Sequence, residues 1–311
     1  MPMLPVCARA LAVALGLGLL LAACGPSGGG VTEVNRDATA TLASGQTVKA
    51  GETFRDCAGC PEMVLIPPGK FAMGSPKGEP GHATDEEPQH AVTFAKPFAV
   101  GKYEVTRAEY AAFVAVTGQR PGAGCFYFDG TKLVADPARN WENPGFAQTD
   151  RDPVVCLNLA EMAAYAKWLA DITHAAYRLP SEAEWEFAAR GGTNTARPWG
   201  AAIGMGLANC DGCGTAYDAR GTAPVGTFAA NGFGVFDMLG NVWERVADCY
   251  HESYKGAPAD GTAWPRAECT QHVTRGGAWL SDAPDVRVAL RNWDLAGNRK
   301  YTLGFRVARG F

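Results

Sequence analysis

Asn231 to Glu244, NGFGVFDMLGNVWE, is the stretch whose reading decides the fold. Gly232, Gly234 and Gly240 interrupt it, which rules out a helix or a long strand. Yet Phe233, Val235, Phe236, Met238, Leu239, Val242 and Trp243 give it more apolar surface than a solvated loop carries. A segment both irregular and apolar is buried, with its backbone polar groups paired outside any regular ladder. Asp237 and Glu244 lie inside it, and a bound cation is one way to satisfy such a turn. Upstream, Tyr177 to Gly192 (YRLPSEAEWEFAARGG) predicts a helix opened by a Ser181/Glu184 capping box and stopped at Gly191-Gly192.

The 311 residues are 47% hydrophobic and 19% charged, with Gly 38 and Pro 20, so the chain is globular and rich in loops. A net charge of -4 without a basic stripe argues against nucleic acid as a partner. At the N-terminus Arg9, the apolar run Leu11 to Leu21, and Leu21-Ala22-Ala23-Cys24 resemble a bacterial lipoprotein signal, with Cys24 lipidated after cleavage. An ordinary secretory peptide with a chance cysteine is the alternative. The expected organisation is a leader over residues 1–23, a flexible tether over 24–50, and one domain over 51–311. A lipid anchor would put that domain at the cell envelope, facing the periplasm or the exterior.

Setting aside Cys7 and Cys24 leaves Cys57, Cys60, Cys125, Cys156, Cys210, Cys213, Cys249 and Cys269. An even number in an exported chain points to disulfides, and we expect neighbours in sequence to pair. Cys57–Cys60 and Cys210–Cys213 are CxxC pairs; neither precedes a helical pattern, as redox-active pairs do, so both read as structural, with zinc the other possibility.

Two further capping boxes, Thr106/Glu109 and Asn158/Glu161, start helices, the second carrying an apolar stripe from Leu159 to Ile172. Met63 to Ile66, Phe71 to Gly74 and Ala91 to Tyr103 read as strands; Thr222 to Phe228, Val273 to Trp279 and Phe305 to Ala308 are the better strand candidates later on. Gly118 to Asp152 shows no clear period. Trp185, Trp199, Trp243 and Trp279 read as core, and Glu182, Glu184 and Glu186 as helix capping and solvated surface rather than an acid–base pair.

Glu62 to Ser75 (EMVLIPPGKFAMGS), Glu87 to Thr106, Pro153 to Leu169, YRLPSEAEWEFAARGG, Thr222 to Glu244, Arg275 to Trp279 (RGGAW) and Gly304 to Ala308 (GFRVA) together resemble, in order and spacing, the formylglycine-generating-enzyme (sulfatase-modifying-factor) family. The resemblance implies an α+β, C-type-lectin-like fold with few helices, short strands, long ordered loops and structural calcium. Some members oxidise a cysteine of a client sulfatase; others are iron-dependent sulfoxide synthases, pyoverdine-maturation proteins or displayed binding proteins.

The family's copper-binding cysteine pair follows RGGAW, where this chain has Ser281 and Val286. Neither can ligate Cu(I) as a thiolate does, so copper is not expected. His82, His90, His174, His251 and His272 show no ligand spacing, which also argues against the iron-dependent branch. The resemblance places calcium on Asp237, the carbonyls of Gly240 and Val242, and Glu244; the alternative is that both acids cap turns or pair with Arg245 or Arg275. A second set would use Asn209, the Cys210 carbonyl and an acid near Asp218.

Leu280 to Leu303 is the family's active-site or ligand surface, carrying Arg287, Arg291, Asn292, Trp293, Asp294, Asn298, Arg299 and Tyr301. It is read either as a contact for a protein or small-molecule ligand or as a plain solvated face. Three functions are carried forward: a calcium-stabilised binding or scaffold protein, a non-standard oxidative maturation enzyme, and, last, a formylglycine-generating oxidase.

Overall fold

The computed structural model describes residues 32–311; the leader and Cys24 fall outside the described residues. The chain opens with four short strands, β1 (Glu33–Val34), β2 (Thr39–Thr41), β3 (Thr47–Lys49) and β4 (Thr53–Phe54). These correct the tether expected through residue 50. Glu33 and Val34 pair with Lys70 and Gly69, and the β2–β3 hairpin buries Ala40 and Val48. Each hairpin strand offers a single apolar residue between polar neighbours, too short an alternation to stand out in a polar run.

Then come β5 (Met63–Ile66), β6 (Gly69–Met73), β7 (His90–Phe94) and β8 (Phe98–Gly101), as the apolar runs broken at Pro67-Pro68 and Pro97 predict. Helix α1 (Arg107–Thr117) precedes the hairpin β9 (Cys125–Phe128) and β10 (Leu133–Asp136), which lies in the stretch without a readable period. Helix α2 (Leu159–Thr173), β11 (Ala176–Arg178) and α3 (Glu182–Arg190) follow. All three helices carry the expected capping box and end on a residue in the left-handed region, Gly118, His174 and Gly191 respectively.

Only β12 (Trp243–Cys249), β13 (Gln271–Arg275), β14 (Arg291–Leu295), β15 (Leu303–Gly304) and β16 (Ala308–Gly310) are strands beyond α3. The strand expected over Thr222 to Phe228 is irregular, because its backbone groups are taken by side chains such as Asp237 and Asn241 rather than by a neighbouring strand.

Two larger sheets frame the molecule, β11-β16-β8-β5-β4 and β14-β13-β12-β15. Helix α3 packs against β6, β12 and β13, and all nine of its residues are buried. That corrects the solvated reading of its acids. Glu184 is both the capping residue and the partner of Arg178. Glu182 and Glu186 are enclosed, paired with Arg291, Arg275 and Arg190. Burying a carboxylate is tolerable only with a charged partner and hydrogen bonds to its remaining lone pairs, and these arginines supply both.

The four disulfides, Cys57–Cys60, Cys125–Cys156, Cys210–Cys213 and Cys249–Cys269, join neighbours in sequence as expected. Trp185 and Trp279 are buried; Trp199 and Trp243 are half-buried against the core.

Candidate cation site and ligand cleft

The irregular stretch 231–244 satisfies its backbone largely from protein groups. Asn231 Oδ1 accepts from the amides of Phe233 and Val235, and Asn231 Nδ2 donates to the carbonyls of Ala188 and Ala189. Asn241 does the same for Ala223, accepting from its amide and donating to its carbonyl. Asp237 and Asn241 adopt positive φ values of 55° and 61°, and Gly240 lies at 80°, where a Cβ would stand 2.4 Å from the Asn209 carbonyl oxygen. Glycine is therefore required at 240 for both conformation and space.

Glu244 points into the core rather than to a turn. It accepts from Arg306 Nε and Nη2, both at 2.6 Å, and from Trp185 Nε1 at 2.8 Å. Its partner is thus neither Arg245 nor Arg275, the two arginines weighed as the alternative to calcium. Arg245 spends its guanidinium on the carbonyls of His272, Asp294 and Leu295.

Beside this pair lie two more buried acids. Asp237 Oδ2 accepts from the Gly226 amide at 2.6 Å, but Oδ1 has no protein donor. Glu104, in the KYEVT segment, is 1% exposed and has no hydrogen-bond donor on either carboxylate oxygen. Burial, aided by the negative charges of Asp237 and Glu244, pushes Glu104 well above the usual carboxylate range, with Arg306 opposing. Burial likewise raises Asp237 to about 6.

Three carboxylates therefore face one adjacent guanidinium, with Arg151 acting on Asp237 as a lesser opposing charge. The oxygens left without a donor are both of Glu104 and Oδ1 of Asp237, while both Glu244 oxygens are taken by Arg306 and Trp185, and such orphaned buried oxygens are costly. The donor set is all hard oxygen, which fits Ca²⁺ and not a soft metal. Sequence reasoning missed Glu104, whose signal was an acid within an apolar family segment, and Arg306, whose pairing spans 62 residues.

The oxygens of the second proposed set are mostly hydrogen-bonded within the protein. The Cys210 carbonyl accepts from the Cys213 amide, and Asp218 accepts from Gly214 and Thr215 in its own turn. Only Asn209 keeps a buried oxygen without a donor.

The expectation of an exposed Arg, Trp and Tyr face over 280–303 is corrected by burial. Arg287 is enclosed and pairs with Glu79 and Glu86; Arg291 is enclosed and pairs with Glu182 at 2.7 Å. Asp294 pairs with Lys300 at 2.8 Å, and Arg299 with Glu161 at 2.8 Å. Tyr301 packs into the cluster of Trp279 and Val242. Asn292 and Trp293 alone of the named contact residues are exposed. A charged side chain reads as surface until its counter-charge, distant in sequence, is known.

Ser281 Oγ accepts from the Ala278 amide, its carbonyl accepts from the Asp211 amide, and Val286 is fully buried. Immediately before them, Trp279 and Leu280 line a cleft of about 380 Å³ with Tyr127, Arg139, Phe146, Arg220 and Tyr301. Trp279 and Tyr301 meet edge to face with centroids 5.1 Å apart, and Arg139 covers the Tyr127 ring at 3.7 Å. Aromatic walls suit a planar ligand, with Arg220 as the guanidinium at hand, since Arg139 is paired with Asp136 at 3.2 Å and Asp129 also lines the cleft.

Among the described residues, three α-helices, short strands and long ordered loops, with the buried acids Glu104, Asp237 and Glu244 in and around a glycine-rich turn, define a scaffold class. Residues 49–311 match the sulfatase-modifying factor enzyme 1-like domain, and the chain belongs to that family. It is 35% identical over 287 residues to the formylglycine-generating enzyme of Thermomonospora curvata, covering 79% of this chain and 92% of that one. It is 31% identical over 289 residues to the inactive C-alpha-formylglycine-generating enzyme 2 of Bos taurus, covering 80% of this chain and 88% of that one. Among solved structures, PvdO from Pseudomonas aeruginosa superposes with a TM-score of 0.76 at 39% identity, covering 85% of this chain and all of that one. The fold is formylglycine-generating-enzyme-like and C-type-lectin-like.

Proposed function

We propose that this chain is a calcium-stabilised ligand-handling member of its family that holds a planar, anionic small molecule in the cleft of Tyr127, Phe146, Trp279 and Tyr301. The observation that carries the reading is the aromatic cleft itself, whose Trp279 and Leu280 directly precede Ser281 in a chain that has Ser281 and Val286 at the positions of the family's copper cysteines. With hydroxyl and isopropyl groups there, copper–thiolate oxidation has no ligands in this place. Calcium on the donorless oxygens of Glu104 and Asp237, beside the Glu244–Arg306 pair, acts as a structural ion steadying the glycine-rich turn. The leader and Cys24 are read as anchoring the domain to the cell envelope.

Metal analysis of the purified protein, combined with quenching of tryptophan fluorescence by aromatic carboxylates, tests this. Calcium near one equivalent, and binding weakened by Tyr127→Ala and Arg220→Ala without a change in melting temperature, support it. Binding unaffected by both variants refutes the cleft.

A second reading is favoured by the similarity to PvdO, which supports the pyoverdine-maturation branch of the family. Under it the chain oxidises the cleft ligand rather than only holding it. Stoichiometric iron or copper, or oxygen uptake that depends on a cleft ligand, selects this reading over simple binding. Oxidation of a sulfatase cysteine ranks last.

A further inference from the structure

The Cys249–Cys269 disulfide has a histidine at its flank. His272 Nε2 lies 3.2 Å from Cys269 Sγ, and the two sulfurs and a ring nitrogen of His272 all lie within 4.8 Å of one another. Cys249 and His272 are direct partners across the β12–β13 ladder, so both are fixed on the sheet frame. Residues opposite each other in an antiparallel pair hold their Cβ atoms about 5 Å apart, the separation two ligands of one metal ion need. Cys269 differs, because it ends the exposed run Pro265 to Glu268 and precedes β13. Two ligands are rigid and the third sits on a loop that can adjust.

We propose that reduction of Cys249–Cys269 creates a zinc site of two thiolates and the His272 imidazole. In the disulfide the sulfurs carry no thiolate charge and bind no metal. A dithiol reductant delivers two electrons and two protons, the S–S bond breaks, and the reductant leaves as its own disulfide. Zn²⁺ then displaces both thiol protons to form two Zn–S bonds and takes the neutral imidazole as third ligand. Tetrahedral Zn²⁺ holds two thiolate sulfurs about 3.8 Å apart, so Cys269 must swing outward by roughly 2 Å, a movement the exposed loop absorbs. A fourth position is left for water or a ligand.

The surroundings support a neutral imidazole. Burial and the guanidinium of Arg245 lower the His272 pKa below its ordinary value. Arg245 also donates to the His272 carbonyl, holding that strand position in place. On the far side of His272 its ladder partner is Asp294, whose charge is paired with Lys300. The site would be independent of the oxygen cluster at Glu104, which prefers a hard cation.

The test uses the full chain in excess Ca²⁺, reduced until alkylation and mass spectrometry show Cys249 and Cys269 free, and titrated with Zn²⁺ against a chromophoric chelator. Reduced protein should take one equivalent at this site, at least about tenfold more tightly than reduced His272→Gln, while oxidised protein takes none there. Equal uptake by the wild type and His272→Gln overturns the proposal. Should reduction of the other disulfides unfold the chain, Cys269→His presents Cys249, the new imidazole and His272 with no reductant present. That variant should bind Zn²⁺ where Cys269→Ser binds at least about tenfold more weakly, and equal affinities overturn the proposal.

Discussion

Glu244 and Arg306 form a two-pronged ion pair in the core, Nε to Oε2 and Nη2 to Oε1, each 2.6 Å, with both side chains almost wholly buried. Arg306 also donates to the carbonyls of Gly101 and Phe236, so one side chain ties β8, the glycine-rich turn and β12 together. Removing one partner leaves a buried charge uncompensated. Arg306→Met should therefore destabilise the fold by about 3–5 kcal/mol in chemical denaturation. Loss of less than about 1 kcal/mol would show that the pair is not a structural tie.

Glu104 and Asp237 make stability depend on pH, and under the calcium reading proposed above on the metal as well. Both have folded-state pKa values raised above the unfolded values, Asp237 to about 6 from 3.8. Such groups contribute stability that is full below the unfolded pKa and lost as pH rises through the folded one. In chelator, the melting temperature should fall as pH rises from about 4 to about 6. Asp248, also buried and raised to about 7, adds to the same fall and extends it to higher pH. Calcium requires the ionised acids, so the stabilisation it gives should grow over that range and disappear in Glu104→Gln. Identical thermal shifts on calcium addition to the wild type and Glu104→Gln would remove Glu104 from the site.

Arg291 and Trp293 separate structure from surface on one strand. Arg291 Nε donates to Glu182, its Nη1 to the carbonyls of Asp85 and His251, and it stacks over Tyr254 at 4.2 Å. Arg291→Ala removes the nearer of the two guanidinium partners of buried Glu182, leaving Arg275 and the Tyr254 hydroxyl, and should cost about 2–4 kcal/mol. Trp293, 40% exposed and touching Tyr250 only at ring distance 6.1 Å, should cost less than about 1 kcal/mol as Trp293→Ala. Urea denaturation of the two variants side by side measures the difference, and equal losses would contradict the placement of Arg291 in the core.

The Cys125–Cys156 bridge closes a separation of 31 residues around the hairpin that forms one wall of the cleft. By loop-closure entropy its removal should cost about 3–4 kcal/mol. Cys57–Cys60, with a separation of 3, restricts far less of the unfolded chain. Cys125→Ser/Cys156→Ser should therefore lower the melting temperature well beyond Cys57→Ser/Cys60→Ser, and the reverse order would show that the hairpin holds without its bridge.

Local chemistry wrote much of this protein directly into its sequence. The capping residues Thr106, Asn158 and Ser181 start their helices because each has its glutamate three positions on, a relation complete within one turn. Residues Met63–Ile66 form a strand because their apolar run is bounded by prolines and glycine, and the disulfides join cysteines that are neighbours in order. The family motifs likewise identify the fold, since so many stand in order and spacing.

Tertiary structure alone decided which charges are core and which oxygens lie together. Arg287, Arg291 and Glu186 look solvent-facing in sequence, and they are buried because their counter-charges arrive from segments up to 208 residues away. Glu104 comes within electrostatic reach of Asp237 and Glu244, and Tyr127 and Phe146 meet Trp279 and Tyr301, in arrangements that no local period encodes. Hydrogen bonding and apolar periodicity act over a few residues and can be read along the chain. Charge compensation and cavity shape are set by the meeting of distant segments, and so appear only once the chain has folded.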